Sequence, residues 1–560
     1  MLAKNGVFLK MSKWFEYPCG CKFEVVGTDK NGSPLLDFNT ILQHIPLHCQ
    51  RTWDLIGQGN TKGVFQLESQ LGQAKAKSLR PLHIEHLSAL AAILRPGCLN
   101  SKLDNKSITD KYIDRKNNVE PIEVFHPALK DILESTYQVL IYQESIMQVS
   151  QKVAGFTLLE ADSLRKGIGK KKTDIIAKLK KEFIDKACEL KIITKEDAEQ
   201  IFGWIEKSAR YSFNKSHSVS YAIYSYITAY AKAHFPRVFF TAYLRFASLK
   251  IKPKIEIKNL VNNARSMNID VLPPYLPLLN KRFKLHNKQI YFGLLDIKGI
   301  GESGFNSMLA VIETEASKQN LSARNYLESL TWYDFLIILS DQIKTTIMES
   351  LISSGATKYK IDRTKMLFEY KQYLELTDRE REWVKQNYTK YKSLQEVLEA
   401  IILLPTGKGK PLASKTRVPK VGSVLKLLQN PPYNLTDSIP WIAATEENLL
   451  GISLTCSNVD SCDTSSANCS CKDFLQKKEL TKNPVLAVNV EEVKEHTAKN
   501  GCEMAFLVVS DTTGVLESVV VFADQWKLYK QILVQSNTVL LAGVRDKKQD
   551  SFLVNKVFQL

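Results

Sequence analysis

Tyr211-Ser-Phe-Asn-Lys-Ser-His-Ser-Val-Ser-Tyr221 opens a long apolar, tyrosine-rich run that ends at Pro236. A lysine, a histidine, an asparagine and several serines stand between aromatic rings. Cations and hydroxyls beside flat rings are the groups that hold phosphate, sugar and base together. Residues 218–247 carry no charge before Lys232. Such a run predicts a buried helix pair broken at Pro236, because proline lacks a backbone donor and clashes with the preceding turn. Tyr221, Tyr224, Tyr226 and Tyr230 are expected as core rings.

Outward from this string, residues 51–250 are mainly helical. Apolar residues recur at helical spacing through 83–95, 128–134, 140–153, 173–190 and 196–208. Residues 1–50 look separate, with Cys19-Gly-Cys21 and a turn at Asn31-Gly32. Pro273, Pro274 and Pro277 make 251–285 a linker signal. Helical patterns return at 325–360 and 376–400, and the composition of 404–440 is loop-like. The period then changes. Residues 485–490, 504–509, 516–522, 538–542 and 552–558 are five short β-branched runs, which predict a small closed barrel of the OB type or another small β-sandwich. The expected fold class is multidomain α+β, with a helical half and a C-terminal β-barrel.

The chain has 560 residues and a net charge of +17. That length predicts roughly three to five domains. The charge points to a polyanionic partner, nucleic acid first, or to a merely basic soluble surface. No apolar window is long enough to span a membrane, and Met1 to Lys13 has no apolar core of a secretory signal. A cytoplasmic protein with no membrane partner is expected. Its ten cysteines are then metal ligands or buried thiols rather than disulfides.

Two cysteine clusters could bind structural zinc. Cys19 and Cys21, with His48 and Cys49 some way downstream and His44 beside them, could close a tetrahedral site. Cys456, Cys462, Cys469 and Cys471 fall in a polar stretch with little else to order it. For both, the alternative is free thiols.

Four further blocks matter together. They are Gly59-Asn-Thr-Lys-Gly-Val-Phe-Gln-Leu-Glu-Ser69, Leu94-Arg-Pro-Gly97 with Tyr112 to Lys116, Thr136 to Glu144 with Met147-Gln148, and Ala161 to Lys172. In the last, Arg165 and Lys166 stand beside two glycines. Glycine lets backbone approach a phosphate and the cations neutralise it.

In order and spacing, these blocks and the opening string resemble the fingers of the bacterial, C-family DNA polymerase III alpha subunit, from about residue 45 to 247. The resemblance implies that Arg165, Lys166, Lys170 and Lys171 face the triphosphate of an incoming dNTP. It places Ser216 and His217 against the deoxyribose, with His217 as the steric gate against a 2′-hydroxyl. Tyr211, Phe213 and Asn214 would shape the base and sugar pocket. Cys98 stands where the family usually has proline, and Ser212 where it usually has glycine.

Further on, Ile297-Lys-Gly-Ile-Gly301 fits a helix-hairpin-helix, where Lys298, Gly299 and Gly301 would hold a DNA phosphate through backbone N–H groups. The chain thus divides into an N-terminal extension with a candidate zinc knuckle (1–50) and fingers-like (51–250), helix-hairpin-helix duplex-binding (251–360), helical or linker (361–448), Cys-rich (449–482) and OB (483–560) parts. Primer–template DNA and dNTP are the implied partners. No Gln-x-x-Leu-x-Phe string occurs between 360 and 448, so a sliding clamp is left in doubt.

Polymerases join nucleotides with two metal ions held by paired carboxylates. The family's palm supplies an Asp-x-Asp pair, and this chain contains none. Asp37 resembles a connector residue after the last palm aspartate. The expectation is therefore no catalytic residue in this chain. It would be a split form, as in a bacteriophage, that meets Mg²⁺ through a separate palm and phosphoesterase polypeptide. The alternative is a non-catalytic DNA-binding paralogue that regulates or scaffolds a polymerase. The expected location is the bacterial cytosol or a phage-infected host.

Overall fold

A computed structural model describes residues 14–28, 33–38, 45–103, 105–169, 173–403, 416–476, 483–498, 501–546 and 551–560. Lys170, Lys171, His44 and the Asn31-Gly32 turn lie outside the described residues. The chain forms two compact units, Met1–Phe239 and Phe240–Leu560.

The first unit is helical apart from small strands. Its central element is the helix Lys215–His234, which packs along Ile84–Ile93 and Gln50–Gly57. It stops at His234 because Phe235 precedes Pro236, and the residue before proline is pushed out of the helical region. Pro236–Ala247 then begins the next helix, as the apolar run predicts. Of the four tyrosines expected in the core, Tyr226 and Tyr230 are buried, but Tyr224 is 61% exposed and Tyr221 half-buried. The difference is one of face: Tyr226, Tyr230 and His234 follow at four-residue spacing and share one side of the helix.

A second core gathers Leu140, Ile146, Val149 and Val153 with Leu164, Phe183, Phe202 and Ile205. It fastens the helices Gln143–Ala154, Leu158–Gly169, Thr173–Leu190 and Lys195–Ser208 together. Thr194 caps the last of these by accepting from the Asp197 N–H. Ahead of the helices, Trp14–Glu16, Lys22–Thr28 and Pro34–Leu36 form a three-stranded antiparallel sheet.

His86 is a buried titratable group of this unit. The Leu82 N–H donates to its Nδ1, so its Nε2–H faces the Tyr137 hydroxyl. Burial, with help from His83 and Lys116, lowers its pKa to about 3. The folded value lies below that of the unfolded chain, about 6.5. The contribution is therefore intact above the unfolded value and is lost as pH falls from there towards the folded one. The slope is at most about 1.4 kcal/mol per pH unit. Urea unfolding at neutral and mildly acidic pH should show this loss, and His86→Gln should flatten it.

In the second unit the expected linker is ordered structure instead. Residues 251–285 form the helix Pro253–Ser266 and then enter a small sheet of Val271–Leu272, Gln289–Tyr291 and Lys284–His286. The stretch is not a linker: Pro277 sits in the first turn of the 3-10 helix Leu276–Leu278, and Pro253 in the first turn of its helix, where its missing donor costs nothing. Within 404–440, Val418–Gln429 is likewise helical, again with a proline in its first turn.

The C-terminal strands are Val485–Thr497, Glu503–Asp511, Gly514–Val521, Thr538–Arg545 and Phe552–Gln559. They close a barrel in the order second, third, fifth, fourth, first. The third and fifth strands pair in parallel and the other neighbours are antiparallel. The helix Ala523–Tyr529 joins the third strand to the fourth. This is an OB-like Greek-key barrel, so the fold is multidomain α+β as expected.

Candidate nucleotide site and metal centre

The segment Tyr211–Phe213 is held from both sides. The Phe213 N–H donates to Ile141 O at 2.9 Å and the Gln143 N–H to Phe213 O at 2.9 Å, a short parallel bridge beside Tyr142. From the end of the helix Ile84–Ile93, Arg95 donates through Nη2 to Tyr211 O at 2.8 Å and through Nε to Ala92 O at 2.8 Å. Its guanidinium carbon lies 4.1 Å from the Phe213 ring centroid. Gly97 lets this segment approach, because a Cβ there would stand 3.2 Å from the Tyr211 Cβ.

Tyr211 is buried, with its hydroxyl 2.9 Å from Ser208 Oγ. Burial pushes its pKa up to about 12. Ser212 is buried too and donates its N–H to Ser208 O. Its φ is not positive, so this position does not require glycine. Cys98 donates its N–H to Arg95 O at 3.0 Å, a bond that proline could not make.

Asn214 begins the long helix. Its Oδ1 accepts from the His217 N–H at 2.8 Å and from Ser216 Oγ at 2.7 Å. Its Nδ2 donates to Glu144 Oε1, and the Lys215 N–H donates to Glu144 Oε2, both at 2.8 Å. The side chain is thus committed as a helix cap. Ser216 and His217 sit exposed on the first turn. The His217 ring is 4.2 Å from Tyr221 and 5.4 Å from Phe213, centroid to centroid.

Arg165 and Lys166 share one counter-ion. Arg165 donates to Asp162 Oδ1 through Nη2 at 2.8 Å, and Lys166 Nζ lies 2.6 Å from Asp162 Oδ2. The hydrogen bond from Lys166 first, then that from Arg165, holds the Asp162 carboxyl below its usual range. Arg165 also donates to Gln143 Oε1 at 3.1 Å. Through Gln143 the cations of Leu158–Gly169 are therefore tied to the Phe213 segment. Together the starts of Gln143–Ala154 and Lys215–His234 and the face of Leu158–Gly169 bring two cations, an exposed imidazole and two aromatic rings to one region. Sequence reasoning missed Arg95, Gln143, Glu144 and Asp162 as parts of this constellation. Each lies inside a motif block, but only pairing in space reveals its work.

In the second unit, Lys298, Gly299 and Gly301 are exposed. Gly299 has φ +96°, and Gly301 caps the helix Glu302–Lys318. The Lys298 N–H is occupied by Leu449 O at 2.9 Å. A single 3-10 turn, Leu294–Asp296, precedes the glycines. Elsewhere in this unit, a cleft of about 180 Å³ is lined by Lys258, Arg265, Glu447, Glu491 and Asp511 among others. Lys258 is paired there with Glu491 and Glu447, so its charge is already met.

The first cysteine cluster forms with a different histidine. Cys19, Cys21, Cys49 and His234 bring one ligand atom each within 4.8 Å of one another. His48 is exposed and lies outside the group. The reason is local geometry: Cys49 is the cap of Gln50–Gly57 and points inward, while its neighbour points to solvent. Nothing in the local spacing signals His234, which is 185 residues from Cys49. Burial, then the charge of Arg51, lowers the His234 pKa to about 4. Burial pushes the Cys21 thiol up to about 12.

The second cluster does not assemble. Cys456, Cys462, Cys469 and Cys471 form no metal-ligating group among the described residues. Cys456 and Cys462 turn to the backbone carbonyls of Ile439 and Asn458. Cys471 is buried in the barrel core beside Phe474, so its spacing reflects packing.

No helix among the described residues is long and apolar enough to cross a membrane. Residues 28–191 match the family model described as the bacterial DNA polymerase III alpha subunit finger domain. Across 92% of its length the chain is 31% identical to a DNA polymerase III subunit alpha of Aquifex aeolicus, covering 39% of that protein. It is 35% identical to the Thermus aquaticus subunit over 58% of this chain and 25% of that one. With a Staphylococcus aureus subunit it shares 26% identity over 93% of this chain and 44% of that one. The chain thus spans about two fifths of the relatives that it matches along most of its length. It belongs to the bacterial, C-family DNA polymerase III alpha subunit family.

Proposed function

We propose that this chain binds the incoming dNTP and primer–template DNA as a component of a replicative DNA polymerase. The observation that carries the reading is that Arg165 bonds Gln143, which pairs with the Phe213 segment beside His217, while Lys166 joins Arg165 on Asp162. In this reading the two cations leave Asp162 for the triphosphate, a ligand of higher charge. The other family cations, Lys170 and Lys171, follow Arg165 and Lys166 in the sequence. His217 and Ser216 meet the sugar. Tyr211 and Asn214 act indirectly, by holding the string and capping its helix. Gly299 and Gly301 offer backbone N–H groups to duplex phosphate, Lys298 only its side chain because its N–H is taken by Leu449 O, and the barrel is a secondary single-strand surface.

Mg²⁺ is the metal that the family's chemistry implies. The residues described do not fit it: their one metal-ligating group is three thiols and an imidazole, whereas Mg²⁺ takes oxygen ligands. No catalytic step is therefore assigned to this chain. We infer that the metal-binding carboxylates come from a palm outside these 560 residues.

Reconstitution with a palm polypeptide should yield primer extension, and extension by this chain alone would reject the division of labour. Within the active complex, His217→Ala should raise ribonucleotide incorporation relative to deoxyribonucleotide by about 10-fold or more, as expected when about 1.4 kcal/mol of discrimination is lost. Unchanged incorporation would reject the gate.

A further inference from the structure

We propose that Cys19, Cys21, Cys49 and His234 bind one structural Zn²⁺, which ties the N-terminal sheet to the end of the helix Lys215–His234. The claim goes beyond the nucleotide reading and does not depend on it. The donor set is soft, three sulfurs and one imidazole nitrogen, and suits zinc.

The four donor atoms stand close enough together for a single ion to gather them. Zn–S of about 2.3 Å and Zn–N of about 2.0 Å set S···N edges of roughly 3.5 Å and S···S edges of roughly 3.8 Å. Cys49 Sγ lies 3.3 Å from His234 Nε2, and Cys19 Sγ lies 4.0 Å from it. All four ligand atoms stand within 4.8 Å of one another.

Three separate pieces of chain supply them. Cys19 and Cys21 flank Gly20 in the turn between the first two strands. There Gly20 adopts φ +79°, a left-handed conformation that favours glycine. The Tyr17 N–H donates to Cys21 O at 2.9 Å and the Gly20 N–H to Tyr17 O at 2.8 Å, so the turn is a closed knuckle. Cys49 is the first-turn cap of Gln50–Gly57, with its N–H donated to the Tyr226 hydroxyl at 3.2 Å. His234 is the last residue of its helix.

The surroundings favour a closed, structural site. Cys21 is 2% exposed, Cys49 1% and His234 4%. The rings of Tyr17, Phe23 and Tyr230 stand 5.0, 5.4 and 4.4 Å from the imidazole. Four protein ligands leave no open position for water or substrate. A small three-stranded sheet with strands of three to seven residues gains from such a staple.

Metal analysis of the purified chain tests this. The expected result is about one zinc per chain after gel filtration. His48→Ala should keep the metal, and Cys49→Ser and His234→Ala should lose it. His234→Cys preserves a fourth donor and guards against a folding artefact. It should retain the metal, and its cobalt-substituted form should show the stronger thiolate charge-transfer absorption of four sulfurs. Metal-free wild-type protein, a Cys19–Cys49 disulfide in its place, metal lost with His48→Ala, or an unchanged cobalt spectrum in His234→Cys would each overturn the proposal.

Discussion

Arg95→Ala should lower the stability of the first unit by about 3 kcal/mol. Arg95 is half-buried and does three things at once. It donates to Ala92 O and to Tyr211 O, both at 2.8 Å, and it lies 4.1 Å over Phe213. Hydrogen bonds from a charged donor are worth about 1.5–3 kcal/mol each, and a partly exposed cation–π contact adds about 0.5–1 kcal/mol. Partial exposure puts the sum near the low end. The loss falls on the string that carries Phe213 and leads into Asn214. Nucleotide binding should therefore weaken even though Arg95 is not placed against the ligand. Urea unfolding would measure the first effect. Arg95→Lys should restore only part of it, because an ammonium cannot span two carbonyls and stack on a ring as a planar guanidinium does. A stability equal to wild type in both variants would remove Arg95 from the account.

Removing both Arg165 and Lys166 should have the largest effect on nucleotide use. Each charge-assisted contact to a phosphate is worth about 1.5–3 kcal/mol, so the double alanine variant should raise the apparent dNTP KM, or lower kcat/KM, by about 100-fold or more. The competing partner is Asp162, which holds both cations. Its side chain is 27% exposed and that of Lys166 is 62% exposed. The Lys166 pair is open to solvent and screened there, so releasing that cation to a phosphate costs little. That reasoning fixes the sign of another variant: Asp162→Asn frees both cations and should tighten binding. A structural role for the three residues would instead make Asp162→Asn weaken it.

Much of this was readable from the residues because periodicity reports burial. The helix pair around Pro236 and all five barrel strands follow from it. Short or context-dependent elements were not. The strands Trp14–Glu16 and Pro34–Leu36 have three residues each, too few to show a period. Prolines at 253 and 419 fit helix starts as well as linkers, and only the following apolar face decides between them. The cysteines divide the same way. Cys19, Cys21 and Cys49 do lie together, but their histidine comes from the far end of another helix. Cys471 is spaced like a ligand and packs like a core residue. At the proposed nucleotide site, the charged residues stood out as motif blocks. Their organising partners, Gln143, Glu144 and Asp162, are ordinary polar residues whose importance comes from what they touch.

In the proposed function, the face of Leu158–Gly169 and the start of Lys215–His234 form one dNTP site. Photo-crosslinking tests it most directly, using one dNTP with its azido group on the γ-phosphate and another with it on the base, followed by peptide mapping. γ-Phosphate labels should fall within 158–172 and base labels within 211–221, both competed by unmodified dNTP. Competed labels confined to the cleft around Lys258 and Glu491, or to the barrel, would contradict it.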